Sequence, residues 1–175
     1  MDGIKYQDTK NTKKGFLVSL CSLCSLCCLA RYTAALLKPS KENAVSRRRS
    51  FEVPGLHHEN PIPMGSIIGN LMMTSGIFGM EPETRKTPED VESQCRLMFA
   101  NVRRVMEAAG GSPADIIKMV VWARDKSFKD AMNKEWVAMF PDPHSRPARH
   151  TMMYSGFSGN TLIQCEIVAV LSTDR

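Results

Sequence analysis

The stretch TPEDVESQCRLMFANVRRVMEAAGG, residues 87–111, predicts a long helix with one apolar face. Thr87 is typical of an N-cap, Pro88 suits the first helical position, and the acids that follow favour the positive end of the helix dipole. Gly110 and Gly111 predict its end. The apolar residues recur at the spacing of one helix face: Val91, Cys95, Met98, Phe99, Val102, Val105, Met106 and Ala109. A helix of about 22 residues with a single apolar face needs a flat layer to pack on, which indicates a sheet.

The segments on either side of this helix supply strands for such a sheet. Before it, residues 66–76 predict two short strands joined by a tight Gly69-Asn70 turn. After it, the patterns predict a strand over 115–123, a second helix over 127–140 with Phe128, Ala131, Met132, Trp136 and Phe140 inward, and strands over 148–154 and 162–171. The order β-β-α-β-α-β-β predicts an α+β fold with two helices on one face of a mixed sheet. Because the other face also carries Met, Val and Ile, we expect an oligomer whose subunits pack sheet against sheet.

The positive charge of the chain is concentrated at its N-terminus. The 175 residues contain 23 Lys and Arg and 18 Asp and Glu, for a formal charge of +5. Ten of the bases but only three of the acids lie in residues 1–50, so this segment carries +7 and residues 51–175 carry −2. These charges exclude a basic globular domain and leave at most a basic tail on a mildly acidic body.

Residues 1–50 predict an N-terminal extension, and residues 51–175 predict a single domain. Lysines precede an apolar run at 16–30 and small residues follow at 33–35, as in an export signal. The run is shorter than the roughly 20 residues that a membrane-spanning helix needs. The alternative is a misassigned start codon, so that the extension has no role. The protein is cytoplasmic under that alternative, and periplasmic or secreted if residues 1–35 act as a signal. Residues 38–50 are polar and charged, which predicts a disordered linker.

Four of the six cysteines lie between positions 21 and 28. The spacing of Cys21, Cys24 and Cys27 is that of three iron–sulfur ligands, but the residues between them are a Ser-Leu repeat and no Cys-Pro supplies a fourth ligand. The nearest histidines, His57 and His58, are about 30 residues away and lack zinc-finger spacing. We therefore expect no metal site.

Several short motifs of the body occur in the order and spacing of a known family. They are Gly69-Asn-Leu-Met-Met-Thr-Ser-Gly76, Asn101-Val-Arg-Arg-Val-Met-Glu-Ala-Ala-Gly110, Asp115-Ile-Ile-Lys118, Pro147-Ala-Arg149 and Cys165-Glu-Ile-Val-Ala169. Over about residues 60–170 the chain resembles the Rid (YjgF-type) family of reactive-intermediate deaminases. The resemblance implies a chorismate-mutase-like α+β fold and a homotrimer whose sheets line a central barrel, with ligand clefts at the subunit interfaces. It also implies hydrolysis of enamine or imine intermediates, such as 2-iminobutanoate and 2-iminopropanoate, to 2-oxo acids and ammonia without a cofactor.

The resemblance assigns roles to five residues. Arg149 matches the family's carboxylate-binding arginine, a role that suits a guanidinium because it forks onto a carboxylate with two charge-assisted hydrogen bonds. Glu166 matches the glutamate that positions the attacking water, and a carboxylate on a largely apolar strand is costly unless it is paired. Ser75, Gly76 and Asn133 match positions that border the cleft. Without the resemblance, the two charged residues are explained as salt-bridge partners, Asn133 as helix surface, and Ser75 and Gly76 as turn geometry.

One position departs from the family. Many deaminating members carry a tyrosine just after a proline in the first loop of the cleft, whereas here Pro61 is followed by Ile62. The change removes a hydroxyl donor from the pocket, and Tyr154, Trp136 and His150 are the candidates to replace it. In a regular strand His150 points away from the face of Arg149, so we expect a neighbour rather than a base.

Two other functions compete with imine hydrolysis. The trimer could bind small carboxylates without turning them over, as a binding or regulatory protein. The third possibility, endoribonuclease-type activity, is disfavoured because the body carries −2 and lacks a basic groove with stacking aromatic residues. We therefore expect no nucleic-acid partner.

Overall fold

The computed structural model describes residues 47–172. The predictions of an export signal, a cysteine cluster without metal and most of the linker fall on residues 1–46, outside the described residues. The described chain contains β1 (Arg48–Phe51), β2 (Gly65–Ile68), β3 (Leu71–Thr74), β4 (Ile77–Phe78), α1 (Val91–Ala108), β5 (Ile116–Ala123), α2 (Lys129–Met139), β6 (Ala148–Met153) and β7 (Ile163–Val170). Short 3-10 turns at Pro113–Asp115 and Lys126–Phe128 precede β5 and α2.

The strands form one mixed sheet in the order β1-β2-β3-β7-β5-β6. β4 follows β3 along the same side of β7. β5 and β6 are parallel and are joined through α2, because parallel neighbours need a crossover connection. The other pairings are antiparallel. The predicted α+β class, with a mixed sheet and two helices, is confirmed.

The core lies between the helices and one face of the sheet. α1 buries the predicted apolar stripe except Val91, which is partly buried, and the strands contribute the side chains opposite: Met72, Met119, Val121, Ile163, Cys165, Ile167 and Ala169. In α2, Met132 and Trp136 are buried, while Ala131 packs partly buried against the same core. Alternation along β7 is regular, with every second residue buried from Ile163 to Ala169.

The start of α1 differs from the prediction. Asp90, and not Thr87, is the N-cap, since its carboxylate accepts a hydrogen bond from the Ser93 backbone N–H at 2.7 Å. The helix is therefore 18 residues long rather than about 22. The residues before it are committed to tertiary hydrogen bonds, because the Asn160 side-chain amide donates to the carbonyl of Thr87 at 2.6 Å and to that of Pro88 at 3.2 Å.

The predicted hairpin is confirmed, and a further strand extends the sheet beyond it. Gly69 has φ of +60° in the turn between β2 and β3, a conformation that favours glycine. Residues 48–50, which we assigned to the linker, belong to β1 and pair with β2. Their arginines gave no apolar pattern, yet an edge strand needs only backbone hydrogen bonds, and its cationic side chains discourage pairing with other chains.

The sheet face opposite the helices, here called the open face, carries exposed apolar side chains. Cross-strand pairing places these residues on it, each 39% to 56% exposed: Ile68, Leu71, Met73, Met152 and Val170. A surface of this kind fits the sheet-to-sheet packing that we expect between subunits. Within residues 47–172, no helix is long and apolar enough to cross a membrane.

Candidate active site

Arg149 lies on β6 with its side chain directed toward α2. It pairs in register with Met119, a fully buried residue of the helix-facing side. The guanidinium Nη2 donates a hydrogen bond to Asn133 Oδ1 at 2.9 Å, and its Cζ lies 4.6 Å from the centre of the Trp136 ring. Asn133 and Trp136 are three residues apart on α2, so that one face of one helix holds the guanidinium. Burial lowers the pKa of Arg149 from its usual value, although a guanidinium stays protonated at neutral pH.

The guanidinium has an unused donor. Its Nη1 atom is buried and has no hydrogen-bond partner among the described residues. Leaving such a donor unpaired costs about 1 to 3 kcal/mol, and more when the group is charged. An anion that reaches Arg149 would remove this cost, which is the property expected of a carboxylate-binding residue.

Ser75 and Gly76 lie in the short connection between β3 and β4. Ser75 is fixed to the preceding loop, since its hydroxyl donates to the Pro63 carbonyl at 2.7 Å. A Cβ atom built on Gly76 would lie 3.4 Å from the Gln164 carboxamide, an ordinary contact distance. The space beside Gly76 is therefore bordered by a polar amide.

Glu166 stands level with this connection on the neighbouring strand. Met73 pairs with Val168 and Ile77 pairs with Cys165, so the three residues 74–76 face only two residues of β7. The extra residue is accommodated as in a β-bulge, and Thr74 Oγ1 accepts a hydrogen bond from the Ile167 N–H at 3.0 Å. This register brings Glu166 alongside Ser75 and Gly76.

The partner that we expected for Glu166 is absent among the described residues. The carboxylate is only partly buried on the open face and so stays accessible to solvent in a single protomer. Its neighbour in register is Val120 of β5, which offers no polar group.

One protomer does not bring all five residues together. Arg149 and Asn133 lie on the helix side of the sheet, whereas alternation places Glu166 on the open face. The sheet itself separates Arg149 and Asn133 from Glu166. Any site that uses both groups therefore needs more than one protomer.

The three candidates for the missing tyrosine differ in position. Trp136 contacts Arg149 directly, His150 lies on the open side of β6 as predicted, and Tyr154 packs edge-on against Phe157 with ring centres 4.9 Å apart. Tyr154 also lines a surface depression of about 370 Å³ with Phe78 and Gln164. Ile62 itself is 46% exposed.

Two contacts of the site were missed from the sequence. Trp136 was predicted as a core residue, and its contact with Arg149 depends on how α2 crosses β6. Gln164 shares a face of β7 with Glu166 by alternation, but its position against Gly76 follows from the register of β4. Asn133 and Trp136 are three residues apart in the predicted helix, and this spacing was the one sequence signal that could have linked Trp136 to the site. In residues 47–172, no cluster of three or more His, Cys, Asp or Glu side chains could hold a metal ion.

Known proteins match the domain described above. The family model described as Endoribonuclease L-PSP matches residues 62–171. The 2-iminobutanoate/2-iminopropanoate deaminase of Escherichia coli strain K12 is 32% identical over 111 residues, covering 63% of this chain and 87% of that protein. Among solved structures, RidA from the Antarctic bacterium Psychrobacter sp. PAMC 21119 gives a TM-score of 0.66 at 25% identity, covering 70% of this chain and 99% of its own. TdcF of E. coli with bound serine gives a TM-score of 0.65 at 28% identity, with coverages of 71% and 99%.

Proposed function

The chain belongs to the endoribonuclease L-PSP family, also known as the YjgF or Rid family, and from this premise we propose that it is a reactive-intermediate deaminase. It hydrolyses enamine or imine intermediates of amino acids, of the 2-iminobutanoate and 2-iminopropanoate type, to 2-oxo acids and ammonia. One observation carries the proposal. The guanidinium of Arg149 is held by Asn133 and Trp136 and keeps one buried donor, Nη1, for which residues 47–172 offer no acceptor.

Arg149 binds the carboxylate of the substrate. A guanidinium that is already oriented loses little conformational freedom when an anion binds, so more of the interaction free energy appears as affinity. The serine found in the E. coli TdcF structure shows that a structural relative takes a small amino acid. A 2-imino acid has the same carboxylate at the same distance from its nitrogen-bearing carbon.

Hydrolysis then proceeds at the carbon next to that carboxylate. A water oxygen adds to C2 of the protonated imine and loses a proton, which gives a carbinolamine. The nitrogen of the carbinolamine takes up a proton, the C2–N bond breaks to release ammonia, and the C2 hydroxyl loses its proton as C2 becomes the carbonyl of the 2-oxo acid. Glu166 accepts a hydrogen bond from the water and orients it for addition, as a general base does. An enamine enters the same path after its own protonation at carbon.

The site is formed between protomers of a homotrimer. Arg149 and Asn133 of one protomer face Ser75, Gly76 and Glu166 of the next. Two observations support this arrangement: the two groups lie on opposite faces of one sheet, and the open face exposes apolar side chains. Burying that face against a second subunit removes apolar surface from water, which stabilises the assembly.

The proposal is tested by the release of 2-oxo acid from imines generated in the cuvette by an amino-acid oxidase. Wild-type protein accelerates release, and Arg149→Ala loses at least about a hundredfold in kcat/KM, as for a desolvated charge-assisted contact. The exposed Arg103→Ala on α1 serves as the matched control and keeps the wild-type rate. Equal acceleration by wild type and Arg149→Ala would contradict the proposal. Calorimetric binding of 2-oxobutanoate without any turnover would instead favour the non-catalytic carboxylate-binding function.

A second pair of variants tests the carboxylate. Glu166→Gln keeps the shape but removes the basic group, so kcat falls while KM changes little. Gln164→Ala is the comparison, because Gln164 lies on the same face but its neutral amide cannot take up a proton. A loss of kcat in Gln164→Ala with a normal kcat in Glu166→Gln would show that the Gln164 carboxamide, and not Glu166, holds the water.

A further inference from the structure

A cavity of about 280 Å³ lies between the start of α2 and the edge of the sheet, and it reaches Arg149. Its walls are mainly apolar. They include Phe128 and Met132 at the helix and Ala123, Met153 and Ile163 on the sheet. Imine hydrolysis as described above uses no part of this cavity except Arg149.

The cavity extends along β6 away from the guanidinium. Arg149, Thr151 and Met153 are alternate residues of the strand, so their side chains line one face in a row. Met153 pairs with Ala123, which in turn pairs with Ile163. Four residues of strand separate the two ends, a length of about 13 Å. The cavity therefore has a cation at one end and an apolar wall at the other.

The volume sets the size of the ligand. At about 30 Å³ for each water-sized group, the cavity accepts about nine heavy atoms. The side chains of leucine and methionine, with four heavy atoms each, therefore fit within it. The methyl group of an alanine-derived imine would leave most of the apolar wall without a contact, and such contacts supply much of the affinity in ligand sites.

The mouth of the cavity favours an anion. Lys126 and Lys129 are exposed there, against one acid, Asp125. The Asp125 carboxylate already accepts a hydrogen bond from the Ser127 N–H at 2.8 Å. With Arg149 inside, the local charge is positive although residues 51–175 carry −2. This charge attracts carboxylates from solution.

We propose that this cavity receives the side chain of the substrate, so that the enzyme prefers imino acids with apolar side chains of about four heavy atoms over those with one or two. The inference rests on the proposed function, since it takes Arg149 as the carboxylate site. Within the proposed class of 2-imino acids, it assigns the highest rates to those related to leucine and methionine.

The kinetic test compares imines generated from leucine and from alanine. Wild-type protein shows a kcat/KM for the leucine-derived imine at least about tenfold above that for the alanine-derived imine, because three more carbons are buried. Ala123→Leu fills the end of the cavity farthest from Arg149 and lowers that ratio to about one. Met153→Trp, at a more exposed edge position, is the second filling variant if Ala123→Leu does not fold. Ala138→Leu, an exposed position of α2, is the matched control and keeps the wild-type ratio.

A binding test separates this inference from the proposed function. Calorimetry measures the Kd of wild type, Ala123→Leu and Ala138→Leu for two stable products, 4-methyl-2-oxopentanoate and 2-oxopropanoate. Tighter binding of the larger acid by wild type and Ala138→Leu, lost in Ala123→Leu, supports the cavity assignment even if no imine is turned over. Acceleration of both imines with the same ratio in all three proteins, and equal Kd values for both acids, overturns the assignment and leaves the proposed function intact.

Discussion

The Arg149 guanidinium is held on two sides by side chains from the same helix. Asn133 accepts one of its hydrogen bonds and the ring of Trp136 lies under its plane. The ring is itself packed against Phe140, with centres 4.6 Å apart. Such support matters because a mobile arginine spends part of its binding free energy on becoming ordered. In the function proposed above, Trp136 therefore acts as a positioning residue.

Replacing Trp136 tests that role. Trp136→Leu removes the cation–π contact, worth about 0.5 to 2 kcal/mol, and raises KM for an imine by about two- to thirtyfold while kcat changes less. Trp136→Phe keeps an aromatic face and restores most of the affinity. The measurement is the KM and kcat of both variants together with their urea midpoints. A fall in kcat alone, or no rescue by Phe, would show that the ring does not orient the guanidinium.

At the same scale, sequence alternation was sufficient to assign faces but not contacts. It predicted that His150 points away from the face of Arg149, and the strand pairing agrees. It could not reveal the contact of Arg149 with Trp136, because that contact joins a strand to a helix ten or more residues earlier in the chain. Only the packing angle between the two elements decides it.

One buried side chain, which no sequence pattern singled out, joins several elements of the fold. Gln94 of α1 is fully buried, and its Nε2 donates to the carbonyls of Pro88 at 2.6 Å and Asn160 at 2.8 Å. Its Oε1 accepts from the Leu162 N–H at 2.8 Å. One amide therefore connects the helix to the loop before it and to the residues that lead into β7.

The loss of this amide is predicted to cost about 2 to 4 kcal/mol of the free energy of unfolding. Gln94→Met keeps the volume of the side chain but leaves the Asn160 carbonyl and the Leu162 N–H without their partner, while the Pro88 carbonyl keeps the Asn160 amide. Each unpaired buried group costs about 1 to 3 kcal/mol before relaxation. Urea denaturation measures the change. Arg96→Met, an exposed position of the same helix, is the control and stays within about 0.5 kcal/mol of wild type. A similar small change in Gln94→Met would show that water replaces the amide.

Local patterns predicted most elements and missed those that depend on distant residues. The apolar stripe of α1 and the Gly69-Asn70 turn are properties of short windows, and both were predicted correctly. The cap of α1 was placed three residues early because a side chain some seventy residues later, Asn160, engages the Thr87 and Pro88 carbonyls. β1 was missed because an edge strand is defined by its backbone pairing and carries arginines instead of an apolar pattern.

For the whole molecule, the distribution of candidate residues has a direct consequence. Residues on opposite faces of one sheet cannot act on one small substrate, because the sheet lies between them. In a cyclic assembly, Arg149 of one protomer can face the open face of the next protomer, so that residues from opposite faces of the sheet reach one substrate. The proposed trimer therefore contributes to catalysis as well as to stability, and a dissociated protomer would hold only half of each site.

A mixing experiment tests the shared site. Arg149→Ala and Glu166→Gln protomers are each inactive in their own trimers, since every interface lacks one group. The two variants are unfolded together and refolded as mixed trimers. An interface then holds both Arg149 and Glu166 wherever a Glu166→Gln protomer supplies the arginine and an Arg149→Ala protomer supplies the glutamate. Random assembly places these in about a quarter of the interfaces, so activity should return to about a quarter of the wild-type value. Light scattering must show a trimer of unchanged mass in every sample. Mixed trimers that stay inactive would show that both groups of a site come from the same protomer. A wild-type monomer with full activity would exclude the shared site altogether.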